Sequence, residues 1–226
     1  MKILVILLLH VFVSCFNPAA DQSKVKTTLV AEKDESIPEL QKEKRTEIGN
    51  TIGVVVLNDN YSETDTVKLY NEDGSLWYKF TYFYDDSDGE FDYPNDEFRP
   101  YAFHPDYFIL GLTAVEESQE KYIVIVNEST GLKKQINKDD FLQLISWEQY
   151  VLAAFSVGFN PKKNPIHKEP VLESETISYQ ENSLYHPVKV HDEWLQVKWG
   201  KEGDWNFGWI KWKERNKLLI QIYSNC

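Results

Sequence analysis

Residues 194–212 read WLQVKWGKEGDWNFGWIKW and hold five of the seven tryptophans of a 226-residue chain. No other stretch limits the fold so sharply. Apolar and polar residues alternate on either side of a glycine-bearing turn, which is the pattern of two half-buried strands. Alternation assigns Leu195, Val197 and Trp199 to one face and Trp194, Gln196 and Lys198 to the other. Likewise Ile210 and Trp212 oppose Phe207, Trp209 and Lys211. Each indole removes on the order of 200 Å² from water when buried, an upper bound of about 4–6 kcal/mol. A unit of about 55 residues hides only about 60% of the surface its unfolded chain exposes, so five indoles exceed what it can cover. The face bearing Gln196, Lys198 and Lys211 should be wet, leaving Trp194, Trp209 and Trp205 partly exposed. Clustered exposed aromatics mark interaction sites. The candidate ligand-binding residues are therefore Trp194, Trp209 and Trp205, with Gln196, Lys198 and Lys211 orienting the ligand. The alternative is that these indoles form an interdomain interface and bind no small ligand.

Upstream, TIGVVVL (51–57), TVKLY (66–70), LWYKFTYFY (76–84), YFILGLTAV (107–115) and YIVIV (122–126) are short runs rich in β-branched and aromatic residues. Asn71-Glu72-Asp73-Gly74 supplies a turn between two of them, and Asn127 to Gly131 closes another. In 137–155, Phe141, Leu144, Ile145, Trp147, Val151 and Leu152 approximate a helical stripe with Asn137 or Asp139 as cap, which predicts one helix near 139–154. GFNPKKNPIHKEP (158–170) packs three prolines into thirteen residues without periodicity, as an interdomain connection would. The chain thus reads as a β-rich domain over 48–158, a proline-rich linker over 159–170 and a second β unit over 171–226.

In that second unit the series Trp194-Leu195-Gln196-Val197, a glycine-bearing loop, Phe207-Gly208-Trp209-Ile210 and then Leu218-Leu219-Ile220 resembles the bacterial SH3-like domain of the SH3b type. The resemblance spans about 50 residues. In its first strand Glu175-Thr176-Ile177-Ser178-Tyr179 departs from the family's Leu-Asn-Val-Arg-like pattern. It implies a mainly β fold ending in an SH3-like barrel, and recognition of a peptide or cell-wall peptide by an aromatic-lined groove. A weaker echo from Tyr122 to Ile136 makes a second, divergent SH3-like barrel the alternative for the first domain.

The first fifteen residues, MKILVILLLHVFVSC, carry Lys2 and an apolar run from Ile3 to Val13. That run is about half the roughly 20 residues needed to span a bilayer, so it reads as a cleaved export signal. Ser14-Cys15 resembles a bacterial lipobox, which makes Cys15 the lipidation site, with Phe12 where leucine is usual. The rival is cleavage after Ala19-Ala20 and release. Acyl chains at about 0.8 kcal/mol per buried methylene would hold the protein to a membrane. Residues 16–47 follow with seven acids and six bases between Asp21 and Glu47 and no glycine, a composition that predicts a flexible tether. The expected location is extracytoplasmic, at the periplasmic face of the outer membrane of a Gram-negative bacterium, or secreted in the rival reading.

Net charge is −12, so the average field repels nucleic acid. The stretch YDDSDGEFDYPNDEF (84–98) carries seven acids and no base, but Tyr84 and Asn95 fail two positions of a calcium-loop template. It reads as a solvated hairpin tip. His186, His191 and Asp192 have no third ligand at metal spacing, so no metal or cofactor is expected. A cysteine nucleophile with a histidine base would have to come from Cys15 or the terminal Cys226, and neither fits. No Gly-x-Ser-x-Gly elbow or phosphate loop occurs. These observations predict a non-catalytic, envelope-located binding module with a membrane, peptide, cell-wall or envelope-protein partner.

Overall fold

A computed structural model of the chain describes residues 47–62, 64–81 and 95–225. The chain divides into two units, Met1–Glu43 and Lys44–Cys226, and every described residue belongs to the second. The export signal, Cys15, the tether before Glu47, most of the 84–98 acidic stretch and Cys226 lie outside the described residues.

The fold is mainly β with one short helix. Its first half contributes β1 (Gly53–Leu57), β2 (Thr66–Tyr70), β3 (Leu76–Thr81), β4 (Ala102–His104), β5 (Ile109–Glu117), β6 (Lys121–Asn127), β7 (Leu132–Asn137) and β8 (Leu142–Ile145). These form an antiparallel sheet in the order β3-β2-β7-β6-β5-β1-β8, with β4 pairing β5. Both predicted turns are present. Gly74 (φ 82°) closes the β2–β3 hairpin through Asn71 N–H to the Ser75 carbonyl at 2.8 Å. Gly131 (φ 74°) closes β6–β7, where the Asn127 side-chain oxygen accepts from the N–H groups of Ser129 and Thr130. In both turns glycine takes the left-handed conformation that other residues resist.

The helix α1 (Trp147–Leu152) is shorter than the 139–154 stripe. Leu142 to Ile145 satisfy a strand period as well as a helical one, and the edge of β1 claims them, pairing Val54 with Ile145 and Leu57 with Leu142. Ser146 then starts the helix with a capping box, its hydroxyl accepting from Gln149 N–H while Gln149 accepts from Ser146 N–H. The helix buries Trp147, Tyr150 and Val151, and the Trp147 indole N–H donates to Thr51 Oγ1 at 2.8 Å.

The second half contributes β9 (Ser156–Gly158), β10 (Ile166–His167), β11 (Thr176–Ile177), β12 (His186–His191), β13 (Trp194–Lys201), β14 (Asp204–Lys211), β15 (Lys213–Glu214), β16 (Lys217–Leu218) and β17 (Gln221–Tyr223). The main sheet runs β11-β10-β14-β13-β12, while β15–β16 and β9–β17 are separate two-stranded ladders. Among the described residues none of the sheets closes into a barrel, in either half. The edges explain this for the second half. β11 is two residues long, and β12 carries Pro187, which has no N–H, beside a register shift between Pro187 and Lys189. The proline-rich stretch 159–170 supplies β10 to this sheet, and Asn164 exchanges two hydrogen bonds with the Lys211 backbone at 2.7 and 2.9 Å.

Alternation along β13 and β14 follows the sequence pattern. Leu195, Val197, Trp199, Ile210 and Trp212 turn inward and join Ile48, Val54, Trp147, Tyr150 and Val151 in one hydrophobic cluster. A second cluster, built on Leu69, Leu112, Val124 and Ile136, fills the first sheet.

Candidate functional site

The register of β12, β13 and β14 assembles the site. Trp194 opposes Lys211, Gln196 opposes Trp209, Lys198 opposes Phe207 and Gly200 opposes Trp205. On the other side of β13, His191 opposes Trp194, Lys189 opposes Gln196 and His186 opposes Lys198, while His167 of β10 opposes Trp209. Directly paired residues share a face. All six residues singled out from the sequence therefore lie on the outer face of one sheet.

Each outer indole is flanked by one lysine and one histidine. Lys211 Nζ sits 5.9 Å from the Trp194 ring centre and His167 meets that ring edge-on at 5.2 Å. Lys189 lies 5.3 Å over Trp209, with His191 at 6.5 Å. Lys198 lies 4.7 Å over Trp205, with His186 at 6.1 Å. This covering corrects one expectation. Trp194 and Trp209 are buried, only 8% and 7% exposed, because lysine stems and histidine rings lie across them. The solvent face therefore need not show its indoles, and the counting of surface area from sequence did not anticipate such lids.

The open end of the face is Trp205, half-buried, and Phe207, which is 49% exposed. Phe207 was missed as a site residue, although alternation already placed it on the same face as Trp209. Among the described residues Lys189 and Lys198 make no ion pair, whereas Lys211 pairs with Glu193 at 3.4 Å.

Beyond His186 lies a groove of about 320 Å³ that the sequence did not reveal. Phe155, Phe159, Tyr179, Leu184, Tyr185 and Tyr223 line it, and among the described residues no charged side chain does. Tyr179 and Tyr185 stack at 5.4 Å and 14°, and Phe159 meets Tyr185 edge-on at 5.0 Å. Residues from three separate loops and strands build it, so no local motif signals it. His186 joins groove and face: its Nδ1–H donates to the Phe155 carbonyl at 2.7 Å, and its ring meets Phe155 edge-on at 5.4 Å. Burial pushes the Tyr185 hydroxyl up from its ordinary value, and the group also bonds the Gln180 backbone.

Glu193 anchors the turn at the other end of the face. Its carboxylate accepts from the Arg215 N–H at 2.6 Å and from Lys211, and the Arg215 bond is the main reason its carboxyl lies below the usual range. A lowered folded-state value means stability that is present above the unfolded carboxylate range and lost as pH falls through the folded one. Glu193→Gln is therefore expected to lower the melting temperature by about 2–4 °C at pH 7, a loss of about 1 kcal/mol, and by progressively less toward pH 3. Melting curves across pH check this; a pH-independent deficit contradicts it.

Among the described residues no group of three or more His, Cys, Asp and Glu is placed to hold a metal ion, and no helix is long and apolar enough to cross a membrane. No protein-family model, curated protein or solved structure significantly matches the chain.

Proposed function

We propose that the chain is an exported envelope protein, lipid-anchored at Cys15, whose C-terminal sheet is a non-catalytic SH3-like binding module for peptide or cell-wall fragments. One observation carries the reading: Trp194, Trp205, Trp209, Gln196, Lys198 and Lys211 share one sheet face, and that face ends in the exposed ring of Phe207. Phe207 and half-buried Trp205 offer apolar contact, and the lysines and Gln196 offer direction, which is the composition of a recognition surface. The meander of β12, β13 and β14 followed by the short β15–β16 ladder supports the SH3-like description.

The test is a titration of the full chain with soluble cell-wall muropeptides, followed by tryptophan fluorescence. The wild-type protein is expected to respond, and Phe207→Ala to bind about tenfold more weakly, a difference of about 1.4 kcal/mol, with an unchanged melting temperature. No response from either protein overturns the reading.

A second reading draws on the inner face. Trp199 and Trp212 sit in the same cluster as Trp147, Tyr150 and Val54 from the first half. A structural envelope protein, using its tryptophans to lock its two halves together and binding no small ligand, accounts for those inner rings but not for exposed Phe207.

A further inference from the structure

We propose that the Trp205–Phe207 end of the outer face is a binding site for an acidic glycan, a strand of sugar rings bearing carboxylates; this rests on the reading of the sheet as a binding module. Trp205 and Phe207 stand two positions apart on β14, so their Cα atoms lie about 6.7 Å apart along the strand and both side chains leave the same face as an apolar strip. Sugar rings present flat C–H faces of matching kind. The strip is bordered by cations: Lys198 opposes Phe207 and lies 4.7 Å over Trp205, and Lys189 lies over the adjacent Trp209. Neither ammonium is neutralised by an ion pair among the described residues, in a chain whose net charge is −12. A sugar ring that takes the place of the Lys198 ammonium over Trp205 leaves that ammonium beside the ring's carboxylate, exchanging a cation–π contact for a charge-assisted hydrogen bond. The site thus favours a ligand that is both flat and anionic.

The neighbouring β12 edge suits strand addition by an extended peptide poorly. A peptide strand would add to the sheet edge at β12, and that edge offers Pro187 without an N–H and a shifted register.

The experiment titrates the full chain with three probes: tetragalacturonate, neutral chitotetraose and tetraglutamate. Tetragalacturonate is expected to change tryptophan emission and to bind at least about tenfold more tightly than either other probe, losing affinity between roughly 0.05 and 0.5 M salt. Lys198→Gln is expected to weaken it about tenfold and Phe207→Ala comparably, with circular dichroism unchanged in both. Equal binding of chitotetraose overturns the demand for charge and leaves the proposed function standing. Equal or tighter binding of tetraglutamate overturns the glycan. Silence from all three, with muropeptides still binding, overturns this site alone; silence from muropeptides as well overturns both readings.

Discussion

Replacing Trp212 with alanine is expected to destabilise the protein by about 3–5 kcal/mol and to lower its melting temperature by roughly 10 °C or more. Trp212 is 2% exposed within the shared cluster, so the deletion opens a cavity the size of an indole. Its Nε1–H also donates to the Asp192 carbonyl at 3.0 Å, and its backbone bonds Glu193 and Leu219. Asp192 holds a left-handed turn (φ 53°) that its unsatisfied carbonyl would weaken. Trp199 supplies the internal control. It is 1% exposed in the same cluster, yet its Nε1 is buried without a hydrogen-bond partner among the described residues. Trp199→Phe discards an unpaired donor, whereas Trp212→Phe discards a made bond, so the first is expected to cost at least about 1 kcal/mol less. Urea denaturation of the two phenylalanine variants decides it. Equal losses would remove the Asp192 bond as a cause.

Gly53→Ala is the second large effect. Gly53 opens β1 at φ 151°, and a Cβ there would collide with the backbone carbonyl oxygen of Ile145 in β8. Backbone cannot swing aside as a side chain can. β1 also pairs β5 on its other edge, so the collision is relieved only by parting β1 from β8. A loss of about 3–5 kcal/mol is expected from strain and overpacking together. Gly74→Ala measures the backbone part alone, because Gly74 has φ 82° and open space around it; about 1 kcal/mol is expected there. Chemical denaturation of both variants is the check, and a Gly53→Ala loss no larger than that of Gly74→Ala contradicts the steric argument.

Much of the fold was legible because it is local. The period of two along residues 194–212 set Leu195, Val197, Trp199, Ile210 and Trp212 on the inner face and Trp194, Gln196, Lys198, Phe207, Trp209 and Lys211 on the outer one, as the register has them, and two glycine turns announced their hairpins. The 137–155 stripe misled in extent because Leu142 to Ile145 fit either period, and only the presence of β1 settled them as strand. Burial was less legible than facing. Sequence alone could place Trp194 and Trp209 on the wet side, but not show that Lys211, Lys189 and two histidines from other strands would fold over them. The groove around Tyr179, Tyr185 and Tyr223 was invisible for the same reason: its walls meet only in three dimensions.

The pairing of Glu47 and Ile48 with Asn216 and Lys217 has a mechanical meaning. Glu47 and Ile48 are fastened to the far end of the sequence, by the Ile48 N–H bond to the Asn216 carbonyl at 2.6 Å and the Glu47–Lys217 ion pair at 2.9 Å. Tension applied at residue 47 is delivered first into the β15–β16 ladder, next to Trp212, and bypasses the eight-stranded sheet that follows in sequence. A tug at residue 47 is thus felt by the half that carries β12, β13 and β14 before the half it adjoins along the chain.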